Sequence, residues 1–420
     1  MNWSAQAVRD ASRAGDYGRV IKLARIDAGV SQKQLGQACG ISQSAISRME
    51  NQRVATYDMT HLARAATYLR IPPRLVGLAD HTAVQAAQDG TDVQRRNFLA
   101  VAGAVAATPA LTTLTTTPAT AADNGQAETL RLATSAFRRM DGSTPSRHLA
   151  EPVLAHLRLT QTLSREAEHE GQRTRLAAVG SEAASLAGWL SWDMGDYGSA
   201  RTWYGTAIKA AQRSCDRLLT AYQLGSLAQL EAHADNPAQG LSLVRSARNQ
   251  LGQEPPAIAE AWLSTIEALG HASAGDQQSA DQSLTHAARA SRKITTEQPP
   301  PWPWVFAFSE NKVAAARLTC GARLGLPRWV AEAHDAAGAV LTSGHEKQRA
   351  LLTLDIAFGH LAAGRLDGAF ALATRAVETG LRYRSGRIVE RARTLRRAYT
   401  SPTPAKIVRD FDERLHGVYL

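Results

Sequence analysis

Gly29-Val30-Ser31-Gln32-Lys33-Gln34-Leu35-Gly36-Gln37-Ala38-Cys39-Gly40-Ile41-Ser42-Gln43-Ser44-Ala45-Ile46-Ser47-Arg48-Met49-Glu50-Asn51 decides how the front of this chain folds. Val20, Ile21, Leu23, Ala24 and Ala28 recur at helical spacing before it, and Gly29 stops that helix, because glycine enters the left-handed conformation without a steric penalty. Ser31 then caps a short second helix that runs to Cys39 and stops at Gly40. Ser42 caps a third, through Asn51. Leu35, Ala38, Ile46 and Met49 are the expected inward residues of this pair, with Ala45 also facing the core. Two short helices joined by a glycine-containing turn have helix-turn-helix geometry.

Working outward, Leu62, Ala65, Ala66 and Leu69 mark a fourth helix, and Ile71-Pro72-Pro73 opens a fifth with Leu75, Val76 and Leu78. Residues 1–80 hold eleven Lys and Arg against six Asp and Glu, a net charge of +5, half of the whole chain's +10 in a fifth of its 420 residues. Concentrated positive charge suits a phosphate polymer, since release of condensed counterions drives such binding.

The stretch from about residue 17 to 78 resembles the Xre or phage-repressor family of helix-turn-helix domains. The matching text is Arg-Ile-Asp-Ala-Gly-Val-Ser-Gln-Lys-Gln-Leu-Gly (25–36) and Gly-Ile-Ser-Gln-Ser-Ala-Ile-Ser-Arg-Met-Glu-Asn (40–51). Gly36 departs from the family's usual alanine; it costs roughly 0.5–1 kcal/mol of helix stability and points to close helix packing. The resemblance implies that the third helix lies in the DNA major groove. Gln43, Ser44, Ser47 and Arg48 share one face of it and would meet base edges. Glutamine can pair with adenine and arginine with guanine in two-pronged fashion. By the same resemblance, Gln32, Asn51 and Arg53 would touch phosphates, and Arg25 and Glu50 would form a buried structural ion pair.

Elsewhere the sequence offers little to enzyme chemistry. Cys39, Cys215 and Cys320 are three and widely spaced, which supports neither a disulfide framework nor a cysteine-rich metal site and fits a reducing compartment. No metalloprotease, phosphate-loop, dinucleotide or nucleophile-elbow motif occurs.

Residues 81–125 read as an Ala/Thr/Pro-rich linker. Arg95-Arg96, Phe98-Leu99, a short apolar run and Ala119-Thr120-Ala121 look like a twin-arginine export signal, but they follow a domain instead of opening the chain. The apolar run is also far short of the roughly 20 residues that span a bilayer. The expected role is a linker helix followed by a tether that lets the head reposition.

From 126 to 420 the chain repeats. Turns at Gly195-Asp196, Asp235-Asn236 and Gly275-Asp276 fall 40 residues apart, with weaker ones at Gly325 and Gly364. Small residues follow at Ala200, Gly240, Ala280 and Ala369, where two helices would approach closely. Paired helices at a fixed period indicate an α-solenoid. Trp192-x-x-Gly195-Asp196-Tyr197-x-x-Ala200 resembles the tetratricopeptide motif, although the period exceeds the usual 34 residues. Trp189, Trp192 and Trp203 are expected in the core. Trp302 and Trp304, in a Pro/Trp stretch that interrupts the repeat, either fill the core or line an effector groove. Arg382, Arg384, Arg387, Arg391, Arg393, Arg396 and Arg397 read as the solvated face of a terminal capping helix.

The expectation is therefore an all-α protein: a five-helix helix-turn-helix domain over 1–80, a linker over 81–125 and a tetratricopeptide-like α-solenoid over 126–420. Its expected function is that of a cytoplasmic, nucleoid-associated transcription regulator, in a style that resembles actinobacterial regulators. It would bind a double-stranded operator as a homodimer and sense a peptide, small-molecule or protein effector through its repeats. No metal, cofactor, enzymatic activity or membrane association is expected. The competing reading is an interaction scaffold for an anti-repressor or toxin partner, with DNA binding serving autoregulation.

Overall fold

Capping chemistry sets the helix ends in the computed structural model, which describes residues 3, 5–51, 59–78, 119–294, 308–341, 344–416 and 418. All regular structure among the described residues is helical. The chain divides into two units, residues 1–130 and 131–420.

The first unit opens with α1 (Gln6–Ala14), α2 (Tyr17–Asp27), α3 (Gln32–Cys39), α4 (Gln43–Asn51) and α5 (Met59–Tyr68). Ser31 and Gln34 form a reciprocal capping box at the start of α3, and Gly40 ends the helix at φ +69°. Ser42 Oγ accepts from the Ala45 amide at 3.2 Å and so starts α4. Val20, Ile21, Leu35, Ile46, Leu62, Ala65 and Val76 are completely buried and form the centre of the core.

Three details differ from the sequence expectation. Helix α1 was not expected; its Val8 and Ala11 join the core. The fifth element is a four-residue 3-10 turn, Pro73–Val76, closed by Gly77 at φ +71°. The prolines at its start are tolerated, because first-turn amides have no partner within a helix, and Gly77 stops the element after one turn. Ala38 is exposed and Cys39 is buried instead. The cause is Gly36: a Cβ there would sit 2.7 Å from the Ile41 carbonyl oxygen. The glycine lets α3 close against the turn, which centres the buried face on Leu35, Gly36 and Cys39 and rotates Ala38 outward.

Helix α6 (Ala119–Asp141) starts before the expected linker boundary at 126 and crosses the division between the units. The second unit then pairs α7 (Ser146–Glu166) with α8 (Glu170–Asp193), and α9 (Tyr197–Arg213) follows. Next come α10 (Arg217–His233) and α11 (Pro237–Leu251), then α12 (Ala257–Ser273) and α13 (Gln277–Ser291). Beyond residue 308 lie α14 (Glu310–Leu324), α15 (Pro327–Ala336), the single turn α16 (Gly338–Leu341), α17 (Glu346–Ala362), α18 (Leu366–Arg382), α19 (Gly386–Ala398) and α20 (Lys406–Leu415). Helices of 17 and 15 residues plus short turns account for the 40-residue period.

The turns work as their residues dictate. Gly195 and Gly275 adopt φ +82° and +80°, and Asp196 and Asp276 cap the next helix through the amides of Ser199 and Ser279. Asp235 takes the same left-handed conformation without being glycine, at φ +61°. Ala200, Ala280 and Ala369 are fully buried, as close helix approach requires. Tyr222 stacks on Trp262 with ring centres 5.1 Å apart, and no side chain would fit at Gly225 beneath that indole. The C-terminal core is Phe370, Phe411, Leu395 and Val408.

The arginine-rich C-terminal region is a solvated face only in part: Arg382, Arg384 and Arg397 are exposed, while Arg387, Arg391, Arg393 and Arg396 are half-buried. Arg391 pairs with Asp355, Arg396 grips Asp412 through two nitrogens, and Arg387 lies over Trp189 and Trp192. The last repeats therefore touch the first. Gly386 packs against the Met194–Gly195 backbone, closely enough that a Cβ would collide with it.

Candidate nucleic-acid interface

The face of α4 that carries Gln43, Ser44, Ser47 and Arg48 is polar. Gln43, Ser44 and Arg48 are exposed and Ser47 is half-buried, while Ile46, Met49 and Glu50 are buried behind them. The helix thus presents one side to solvent and is fixed by the other.

An ion pair does much of the fixing. Arg25 Nε and Nη2 donate to the two oxygens of Glu50 at 2.6 and 2.9 Å, and Arg25 Nη1 donates to the Val30 carbonyl at 2.9 Å. The Glu50 side chain is wholly buried and that of Arg25 is 12% exposed. Hydrogen bonding to Glu50 raises the Arg25 pKa further, so the guanidinium stays charged. A two-pronged arginine–carboxylate bond is geometrically selective, and here it fixes the end of α2 relative to α4.

The same carboxylate reaches the start of α3. Gln32 Nε2 donates to Glu50 Oε2 at 2.8 Å, and Gln43 Nε2 donates to Gln32 Oε1 at 3.0 Å. Arg25, Glu50, Gln32 and Gln43 therefore form one chain of hydrogen bonds that ends on the exposed face of α4. The sequence analysis named all four residues but did not foresee this link, because residues 25, 32, 43 and 50 meet only once three helices have packed.

The remaining head residues are placed as follows. Ser44 Oγ is 2.9 Å from Ser42 Oγ, within the helix cap. Asn51 Nδ2 donates to the Ser47 carbonyl at 2.9 Å and so satisfies a group at the helix end. Arg53, Trp302, Trp304 and the Arg95-Arg96 segment lie outside the described residues.

In the repeat unit, Trp192 is fully buried, whereas Trp189 and Trp203 are half-buried. Two buried polar networks there had no sequence signal. In one, Lys347 Nζ donates to Asp141 Oδ1 at 2.5 Å, Ser146 Oγ at 2.9 Å and Asp193 Oδ2 at 3.2 Å. Asp193 also accepts from Ser146 and Ser385, each at 2.7 Å, and Asp141 accepts from Trp189 Nε1 at 2.7 Å. Burial would raise the Asp193 pKa, but Lys347, Arg387 and the two serines outweigh it and hold the carboxyl below its ordinary value. In the second network, Arg138 donates to the Tyr222 hydroxyl at 2.8 Å and pairs with Glu182 at 2.8 Å, while Gln223 donates to Glu182 at 2.8 Å.

No metal-binding group of histidine, cysteine and carboxylate side chains occurs among the described residues. No helix among them is long and apolar enough to cross a membrane.

Comparison with curated proteins gives no match. Among solved structures, the chain is similar to Bacillus thuringiensis PlcR, crystallised in complex with the peptide PapR7 and DNA. The identity is 14%, the alignment covers 84% of this chain and 99% of that one, and the TM-score is 0.33. Residues 16–78 match the family model described as a helix-turn-helix domain, so the α2–α5 region is a helix-turn-helix domain.

Proposed function

We propose that this protein is a sequence-specific DNA-binding transcription regulator of the Xre type that acts as a homodimer. The observation that carries this reading is the solvent-facing polar side of α4, held by a buried Arg25–Glu50 pair inside a unit of net positive charge. Arg48 and Gln43 read base edges in the major groove, with Ser44 and Ser47 beside them. Gln43 reaches its base from a position set by Gln32, so the α3–α4 hydrogen bond orients one reading side chain in advance. Because the Gln32 side chain is engaged by Glu50 and Gln43, its phosphate contact comes from the backbone amides at the start of α3, where the helix dipole favours an anion. Asn51 and Arg53 add phosphate contacts after α4.

The repeat unit dimerises and senses an effector. Two heads must meet half-sites about 34–36 Å apart, so an effector that changes their spacing changes affinity.

Selection of bound duplexes from a random library by the purified protein tests the reading. An enriched sequence is expected. On it, Arg48→Ala costs about 1–3 kcal/mol and relaxes preference at one base pair, while Arg53→Ala weakens all duplexes alike and flattens the salt dependence. Equal losses for Arg48→Ala on selected and random duplexes, or no duplex binding at low salt, would refute it.

A further inference from the structure

We propose that the outer face of α6 and α7 is the interface of the homodimer, where two copies pack antiparallel into a four-helix bundle. The proposal rests on the dimer reading above and names the surface that forms it.

Six large hydrophobic side chains are exposed among the described residues: Ile26, Tyr68, Leu132, Met140, Leu159 and Leu381. Three of the six lie on this one helix pair, with Leu132 at 66%, Met140 at 41% and Leu159 at 37% exposure. Helix α6 turns Leu130, Thr134 and Asp141 inward, while Leu132, Ala136 and Met140 follow one another every fourth residue along its exposed side. On α7 the inward residues are Leu149, Val153, His156 and Leu157, and Pro152, Ala155 and Leu159 form an exposed apolar stripe.

Both stripes belong to one face. Thr134 Oγ1 lies 2.9 Å from His156 Nε2, which fixes the level of one helix against the other. The short connection over 142–145 makes the pair antiparallel, so Ala155 falls near the level of Ala136 and Leu159 near that of Leu132. Helix α8 covers the inner side, where Leu186 and Leu190 meet Leu149 and Val153 of α7 and Glu182 pairs with Arg138 of α6. This pair is the first of the repeat unit. The terminal repeat of a solenoid ordinarily carries a polar outer face, because no further repeat covers it. An apolar face in that place calls for a partner.

Charge identifies the partner as a second copy. Glu128 and Arg139 are exposed on the same side of α6, about three turns apart, with Leu132 and Ala136 between them. Neither is in an ion pair among the described residues. A two-fold axis perpendicular to α6 near residues 133–134 brings Glu128 of each copy level with Arg139 of the other, and sets the large Leu132 against the small Ala136. A parallel pairing would instead place Glu128 on Glu128 and Arg139 on Arg139. The α6 stripe by itself is narrow against the roughly 800 Å² per partner of a stable interface, and the α7 stripe widens it.

Sedimentation equilibrium of the full-length protein without DNA, across the micromolar range, tests the interface. Wild type is expected to be a dimer. Leu132→Glu, which puts a carboxylate into the apolar centre of both copies, is expected to weaken association about a hundredfold. Glu128→Arg and Arg139→Glu alone should each weaken it about fivefold or more, since each dimer contains the pair twice, and the two together should restore it to within about threefold of wild type. Circular dichroism checks that each variant is folded. The charge reversals alter only exposed positions, so they decide the matter if Leu132→Glu does not fold. A wild-type dimer that is insensitive to Leu132→Glu, or that the double reversal fails to restore, overturns this interface and leaves the homodimer reading standing. A wild type that is monomeric throughout overturns both; if Leu132→Glu then lowers its unfolding midpoint, the face is covered within the chain. Because no duplex is present, neither failure touches the DNA-reading proposal.

Discussion

Lys347→Met is the sharpest perturbation of the repeat unit. The Lys347 side chain is 2% exposed, and those of Asp141 and Asp193 are 4% and 2% exposed. Methionine keeps the volume of the aliphatic stem but removes three hydrogen bonds and the charge that neutralises two buried carboxylates. Each carboxylate retains partial support, Asp193 from Ser146 and Ser385 and Asp141 from Trp189. Deleting one member of a buried ion cluster typically costs about 3–5 kcal/mol, and those remaining bonds place the expected loss within that range rather than above it. For a unit of this size that is a fall in Tm of about 5–8 °C. Scanning calorimetry and denaturant unfolding read by near- and far-ultraviolet circular dichroism measure it. The triple variant Lys347→Met, Asp141→Asn, Asp193→Asn removes the stranded charges and is expected to recover most of the loss. The single variant should also lose less at acid pH, where a stranded carboxyl takes up a proton. A loss below about 1 kcal/mol for Lys347→Met, or a triple variant as unstable as the single one, would refute the claim that a desolvated ion cluster ties the first repeats to the last.

Other outcomes follow from the same geometry. Glu50→Ala leaves Arg25 half-paired and frees Gln32, so the head is expected to lose about 3–5 kcal/mol, and DNA affinity should fall even though Glu50 touches no base; unchanged unfolding of the head checks against this. Gly36→Ala places a methyl against the Ile41 carbonyl, and the overpacking is expected to cost about 1–3 kcal/mol despite alanine's better helix propensity; a stabilised variant would contradict the close approach. His233 is held well below its ordinary pKa of 6.5, chiefly by burial and then by Arg323, Arg387 and Arg391. The folded state therefore binds fewer protons than the unfolded chain, so the stability this histidine contributes is complete above pH 6.5 and declines as pH falls from there towards the folded pKa. Unfolding midpoints measured across that range should drop, and more gently in His233→Phe; identical slopes would sink the assignment.

The helix-turn-helix geometry was legible in local chemistry. Ser31, Gly40 and Ser42 set helix ends through bonds that span three or four residues, and no tertiary partner is needed to foresee them. The 40-residue repeat was equally local, because Gly195-Asp196 and Gly275-Asp276 impose a left-handed turn and a cap wherever they occur. Ala38 was misplaced because a helical pattern gives the period of a face but not its rotation, which depends on how closely Gly36 lets the following turn approach.

Charge was the harder matter. Seven arginines between residues 382 and 397 look alike in one dimension, yet Arg391 and Arg396 are in ion pairs and Arg387 lies against two indoles. The Lys347 cluster joins residues 141, 146, 193, 347 and 385, up to 244 positions apart, and only the curvature accumulated over successive helix pairs brings them together. Backbone preferences and caps are properties of neighbours along the chain, so the amino-acid order alone determined the helices, the head and the repeat. Which charges are buried, and which carboxylate each cation finds, depends on distances between remote segments, and those exist only after the helices have packed.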